Sequence, residues 1–147
     1  MDSYHSVFEL NFQSYPEYTP GGLHLQLWEG ETPLSANSSP KEEVLLNLGE
    51  TIRWTHAMDL HGGVLTFEII SGTSTTWGSV GGQGYLKSNI VTKEVDLNDY
   101  NPEISVRHSG VSFGGNRVQS MVLKKVRYIT VNGDVYEDDT ARVAYPK

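Results

Sequence analysis

Four groups of side chains in this chain have types and spacings that could do chemistry. His56, Asp59 and His61 fall close together, and His108 ends a run expected to lie nearby. Neutral imidazole ligates zinc or copper and titrates near neutrality, so this set could hold a metal or serve as an acid–base pair. Its spacing matches no helical metal motif, and histidines hydrogen-bonded to loop backbone are the plainer account. Arg53, Thr55, Thr66, Glu68, Ser105 and Arg107 each sit on the polar side of an alternating run. Gathered on one sheet face, two guanidinium forks and a carboxylate among small hydroxyls suit a ligand with vicinal hydroxyls; a solvated face with cross-strand ion pairs is the alternative. Trp28 lies opposite three leucines, and Trp77 lies in a glycine-rich stretch. An exposed indole can pack on the C–H face of a sugar, whereas a covered one is only core. Asp134, Glu137, Asp138 and Asp139, beside Asn132, supply the hard oxygen ligands that suit calcium, without the spacing of an EF-hand loop.

The elements that must position these groups read as strands. Phe8, Leu10 and Phe12 alternate with polar residues, and Leu23, Leu25 and Leu27 alternate with His24, Gln26 and Trp28. That two-residue period is the mark of a strand with one face buried. Ile52, Trp54 and His56 share a face opposite Arg53 and Thr55, and Leu65, Phe67 and Ile69 share a face opposite Thr66 and Glu68. Ile104 and Val106 continue the pattern, so these apolar residues are expected to form one core. Gly30 to Glu43, with two prolines and a Ser/Asn cluster, reads as a loop of about 14 residues, near the limit for a compact domain. Met58 to Gly63 reads as a second loop, and Ser71 to Gly84 as a long mobile one carrying Trp77. Val118 to Val131 is too long for one average strand and predicts a bulge or bend near Lys124-Lys125. Asn132-Gly133 predicts a hairpin with a type I′ turn. No stretch has a convincing helical period.

Short strands joined by glycine- and proline-rich turns predict an all-β fold, an antiparallel two-sheet sandwich of the jelly-roll kind, as a single domain over residues 1–147. The order LLNLGETIRW, GGVLTFEII, KEVDL, PEISVRHSG and GGNRVQSMVLKKV, from Val44 to Val131, resembles the galactose-binding-domain-like jelly rolls. That superfamily includes many carbohydrate-binding modules and the sugar-recognising domain of glycoprotein-specific F-box proteins. The resemblance implies a fold that carries lectin-like modules and a few enzymes, often with one structural calcium ion. The reading that follows is a non-catalytic module for a carbohydrate or another polar small ligand. Arg53, Glu68 and Arg107 would supply hydrogen bonds, with Trp28 or Trp77 as a stacking platform. Its rivals are a small-molecule enzyme, a cyclase or hydrolase built on His56, Asp59, His61 and His108, and a self-assembling structural subunit.

Composition narrows the partners. The chain has 11 basic and 18 acidic side chains and a net charge of −7, which opposes nucleic acid and anionic membranes. It has no cysteine, which excludes disulfides and thiolate metal sites. No apolar run approaches the ~20 residues of a membrane-crossing helix. Met1 to Phe12 lacks the basic-then-apolar order of a signal peptide, which leaves a mature secreted chain and an intracellular one both open.

Overall fold

The computed structural model describes residues 4–12, 22–38, 49–82, 84–94, 96–98 and 119–145. The strand expected around Ile104 and Val106, and with it Ser105, Arg107 and His108, lies outside the described residues. The chain divides into two compact units, Met1–Asp99 and Tyr100–Lys147. The described residues contain eleven strands and no helix.

In the first unit, β1 (Tyr4–Phe12), β2 (Gly22–Glu29) and β3 (Thr32–Ser38) form an antiparallel meander. Ser6 pairs with Leu27 and Phe8 with Leu25, so the three leucines and Phe8 share one face. Leu23, Leu25 and Leu27 are buried, as their alternation predicts. The expected 14-residue loop does not form: Gly30 and Glu31 make a two-residue turn, and the chain returns as β3. Two things disguise β3 in the sequence. Its side chains are mostly small and polar, and Pro33 lacks a backbone N–H. Both are tolerated because β3 is an edge strand among the described residues, where a missing donor interrupts no central ladder.

The second sheet is built around β5 (Val64–Ser74), which pairs on one side with β4 (Ile52–His61). Here too the expected loop is strand: β4 runs on to His61 and turns at Gly62-Gly63. Both glycines have positive φ, +57° and +75°, the conformation a two-residue type I′ hairpin needs at both central positions. Along its other side β5 pairs with β6 (Gly78–Val80) and β7 (Lys87–Val91) in succession. These two behave as one strand interrupted by residues 81–86. Ile69 holds the interruption closed, its N–H donating to the Leu86 carbonyl and its own carbonyl accepting from the Gly82 N–H, both at 3.0 Å.

The sheets face each other across Leu23, Leu25 and Leu27 on one side and Leu65, Phe67 and Ile69 on the other. Trp77, Val80 and Leu86 complete the buried cluster, and Trp54, Met58 and Leu60 pack against it. This is an antiparallel β-sandwich whose core follows from side-chain alternation on facing strands. Polar links cross between the sheets as well. Asn37 on β3 donates its amide to the Lys87 carbonyl on β7, and Ser88 donates to the Leu25 carbonyl at 3.4 Å.

In the second unit, β8 (Met121–Leu123) pairs with β11 (Arg142–Tyr145), and β9 (Val126–Ile129) pairs with β10 (Val135–Asp138). The chain breaks between β8 and β9 at Lys124-Lys125, where a bulge or bend was expected, and the two halves take different partners. The β9–β10 turn departs from the expected type. The Gly133 N–H donates to the Thr130 carbonyl and the Thr130 N–H to the Asp134 carbonyl, each at 2.9 Å. Val131 and Asn132 are therefore the central turn residues, and Gly133, at φ +86°, takes the bulge position of a three-residue loop. The Thr130 hydroxyl accepts from the Asp134 N–H at 3.1 Å, which favours the longer loop over the two-residue turn.

Candidate functional site

The outer face of the second sheet holds most of the polar residues singled out in the sequence. Pairing puts Arg53 opposite Thr73 and Thr73 opposite Ser79, a row across three strands. In the next row Thr55 lies opposite Ser71, and further along Glu68 is flanked by Ala57 and Lys87. A bulge separates these rows. Thr55 pairs with Ser71 but His56 pairs with Ile69, so Ile70 is an extra residue in β5. One inserted residue reverses the side-chain parity of the rest of the strand. Before it, odd-numbered residues of β5 face the core. After it, Gly72 and Ser74 face inward, and Ser71 and Thr73 face out.

Ile70 itself is 45% exposed, an unusual cost for a large aliphatic side chain in a sheet. It lines an open groove of 450 Å³ together with Arg53, Thr55, Ser71, Thr73 and Ser79. The strand backbone at Trp54, Gly72 and Val80 forms its floor. Those three residues pack on one another on the inner side: a Cβ on Gly72 would lie 2.6 Å from Val80 Cγ2 and 3.3 Å from Trp54 Cβ. Gly81 lines it as well. A Cβ there would lie 2.4 Å from the Ile69 carbonyl oxygen, and one on Gly82 would lie 2.6 Å from that of Ile70. Only glycines let residues 81–82 approach the bulge this closely. The segment read as low-complexity loop is thus a fitted wall, further held by the Gly81 N–H donating to the Tyr85 hydroxyl at 3.1 Å.

The turn from β5 to β6 is braced from behind by Glu50. Its carboxylate accepts from the Ser74 hydroxyl at 2.9 Å, the Thr76 N–H at 3.1 Å and the Thr76 hydroxyl at 2.7 Å. Desolvation raises the Glu50 pKa, but these hydrogen bonds outweigh it and hold the carboxyl below its ordinary value. Ser74 in turn accepts from the Trp77 N–H at 2.8 Å. The brace delivers Trp77 into the core at 7% exposure. The expectation of a mobile loop offering this indole to a ligand is corrected: Trp77 is a buried end of the sandwich.

The other sequence candidates are dispersed. Trp28 does lie on the polar side of β2, on the outer face of the first sheet. Its indole N–H donates to Gln26 at 2.6 Å and its ring stacks on His5, centroids 6.4 Å apart. The outer faces of a sandwich point in opposite directions, so Trp28 cannot stack a ligand bound beside Arg53. Glu68 shares Arg53's face and pairs with Lys87 at 3.5 Å. The histidine cluster is divided by strand alternation: Asp59 and His61 point outward, whereas His56 pairs with Ile69 on the inner face.

His56 joins the two sheets. Its Nε2 lies 3.0 Å from the Ser6 hydroxyl and its ring meets Phe67 edge-on, centroids 5.6 Å apart. Desolvation pushes its pKa down to about 4. His56 is nonetheless exposed, and its contact with water softens the penalty on the charged form.

Of the four acidic residues considered for calcium, Glu137, Asp138 and Asp139 form ion pairs with cations. Glu137 and Asp139 pair with Lys125 at 3.0 and 3.1 Å, and Asp138 pairs with Arg142. Hydrogen bonds from Thr140 and then Arg142 lower the Asp138 pKa, and those to Glu137 and Asp139 raise that of Lys125. No group of three or more metal-ligating side chains occurs among the described residues.

Ser71, Thr73, Ser79 and Ile70 are the groove residues that sequence reasoning missed. A usable signal exists: Ser-Thr-Thr-Trp-Gly is a short hairpin turn in which Gly78, at φ +67°, closes the loop opposite Ser74. Reading it so would have turned its flanks into strands and their hydroxyls into a face. No family model matches the chain, and neither the curated proteins nor the solved structures contain a match to it.

Proposed function

We propose that the first unit is a non-catalytic carbohydrate-binding module whose ligand seats in the groove over Ile70. One observation carries this reading. The Arg53 guanidinium and the hydroxyls of Thr55, Ser71, Thr73 and Ser79 converge on the groove, and none has a hydrogen-bond or ion-pair partner among the described residues. Hydroxyls that donate and accept suit a polyhydroxylated ligand, and an exposed isoleucine suits the apolar face of a sugar ring. Two strand spacings separate Arg53 from Ser79, about 10 Å, room for one or two sugar rings. Among the described residues that line it there is no carboxylate and no histidine, so none of them points to acid–base chemistry.

Calorimetric titration of an oligosaccharide panel tests the reading. A saccharide that binds the parent should bind Thr73→Ala at least tenfold more weakly while the melting point stays within about a degree, since Thr73 is exposed and has no side-chain partner among the described residues. Absence of any saccharide binding, or equal affinity of the variant, removes the groove as a sugar site.

A further inference from the structure

The charges around the groove are uneven in a way that bears on its ligand. The other described arginines are neutralised: Arg127 by Glu137 and Arg142 by Asp138. Lys125 and Lys87 have carboxylate partners too, whereas the exposed Lys93 and Lys124, away from the groove, have none among the described residues. In a chain with 18 acidic and 11 basic side chains, carboxylates are in excess. Yet Arg53 has none within ion-pair distance among the described residues, and the groove that it lines contains no Asp or Glu. Among the described residues the groove's one formal charge is therefore positive, on a protein of net charge −7.

A neutral sugar needs no such charge, since the four hydroxyls already offer donors and acceptors. A guanidinium left without a counter-ion is completed by an anion, and its planar fork matches a carboxylate through two parallel N–H···O bonds. Its row supplies the rest of the match. Thr73 lies directly opposite Arg53, and Ser79 directly opposite Thr73, so a ring anchored by its carboxylate at Arg53 carries its hydroxyls onto theirs. Ile70 lies beside that row to take the ring's C–H face. The negative field of the whole protein repels anions at long range, so selection has to come from this short-range fit.

We infer that the groove is selective for acidic saccharides, and that Arg53 receives the carboxylate of a uronic-acid unit. This rests on the carbohydrate reading above. The test is calorimetry on the full chain with glucuronate, galacturonate and mannuronate oligomers, each beside its methyl ester, with sulfated glucose oligomers as a separate arm. The ester keeps every ring hydroxyl and loses only the charge. At least one uronate should bind about tenfold more tightly than its ester. Arg53→Gln should erase that difference, and Arg53→Lys should restore part of it through charge without the fork. Equal binding of acid and ester overturns the acidic selectivity and leaves the carbohydrate reading standing, as does unchanged uronate affinity in Arg53→Gln. Binding of the sulfated oligomers alone overturns the assignment to a carboxylate. If no saccharide binds, acidic or neutral, both readings fall.

Discussion

The two faces of the β4–β5 hairpin share a backbone and differ in almost everything else. On the inner face Leu65, Phe67 and Ile69 are 0–1% exposed, locked among the leucines of the opposite sheet. On the outer face Arg53, Thr55, Ser71 and Thr73 are exposed, with no side-chain partner among the described residues. The inner face is arranged for stability, and its cost is that any lost atom leaves a cavity. The outer face contributes little to folding, which leaves its residues free to be set by a ligand. The bulge at Ile70 is where the two meet: it keeps Trp54 and His56 on the inner side and turns Ser71 and Thr73 out.

The comparison is broken most directly from within. Phe67→Ala should cost about 3–5 kcal/mol in denaturant melts, the range for deleting a buried aromatic. A loss below about 1 kcal/mol would place Phe67 outside the core and reverse the faces.

Gly81→Ala tests the junction. The added methyl meets the Ile69 carbonyl in a backbone conformation of φ +80°. Strain and overpacking together should cost about 1–3 kcal/mol. Saccharide binding should weaken as well, because the groove wall has to move. A variant as stable as the parent would mean that residues 81–82 do not lie against the bulge.

His56 sharpens the contrast through pH. Its folded pKa is depressed to about 4, so between about pH 6.5 and 4 the unfolded chain binds a proton that the folded chain resists. Stability should then fall as pH drops through that window and level off below it. Urea melts of His56→Gln should show less of this fall than the parent. Parallel pH curves for the two proteins would show that the inner face accommodates the imidazolium after all.

The smallest effect is expected on the outside. Thr55→Ala and Thr73→Ala should each change stability by less than about 0.5 kcal/mol. A larger loss would show that the hydroxyls brace the sheet, and the groove would lose its claim to be free for a ligand.

Part of this was written locally in the chain. The leucines of β2, the Leu65–Phe67–Ile69 face and the outward setting of Arg53, Thr55, Thr66 and Glu68 all follow from a two-residue period. The break at Lys124-Lys125 followed from strand length. Where the reading failed, the period was hidden by residues that suit strands only in context. Pro33 is harmless at an edge, and the hydroxyl-rich stretch around Thr73 forms strand only because β4 and β6 flank it.

What the amino-acid sequence determined by itself is the class of structure and the side of the strand each residue takes, because alternation is a property of a few consecutive bonds. It also determined the acidic balance and the absence of thiol chemistry. Which residues meet was decided by tertiary structure alone. Asp59 and His61 are parted from His56 because they lie on opposite faces of one strand, and Trp28 is parted from Arg53 because two sheets turn their backs to each other. Trp77 is buried because Glu50, distant in sequence, holds its turn. The groove exists because one extra residue at Ile70 changes the parity of β5, and whether a residue is extra is defined only by the strand that pairs with it.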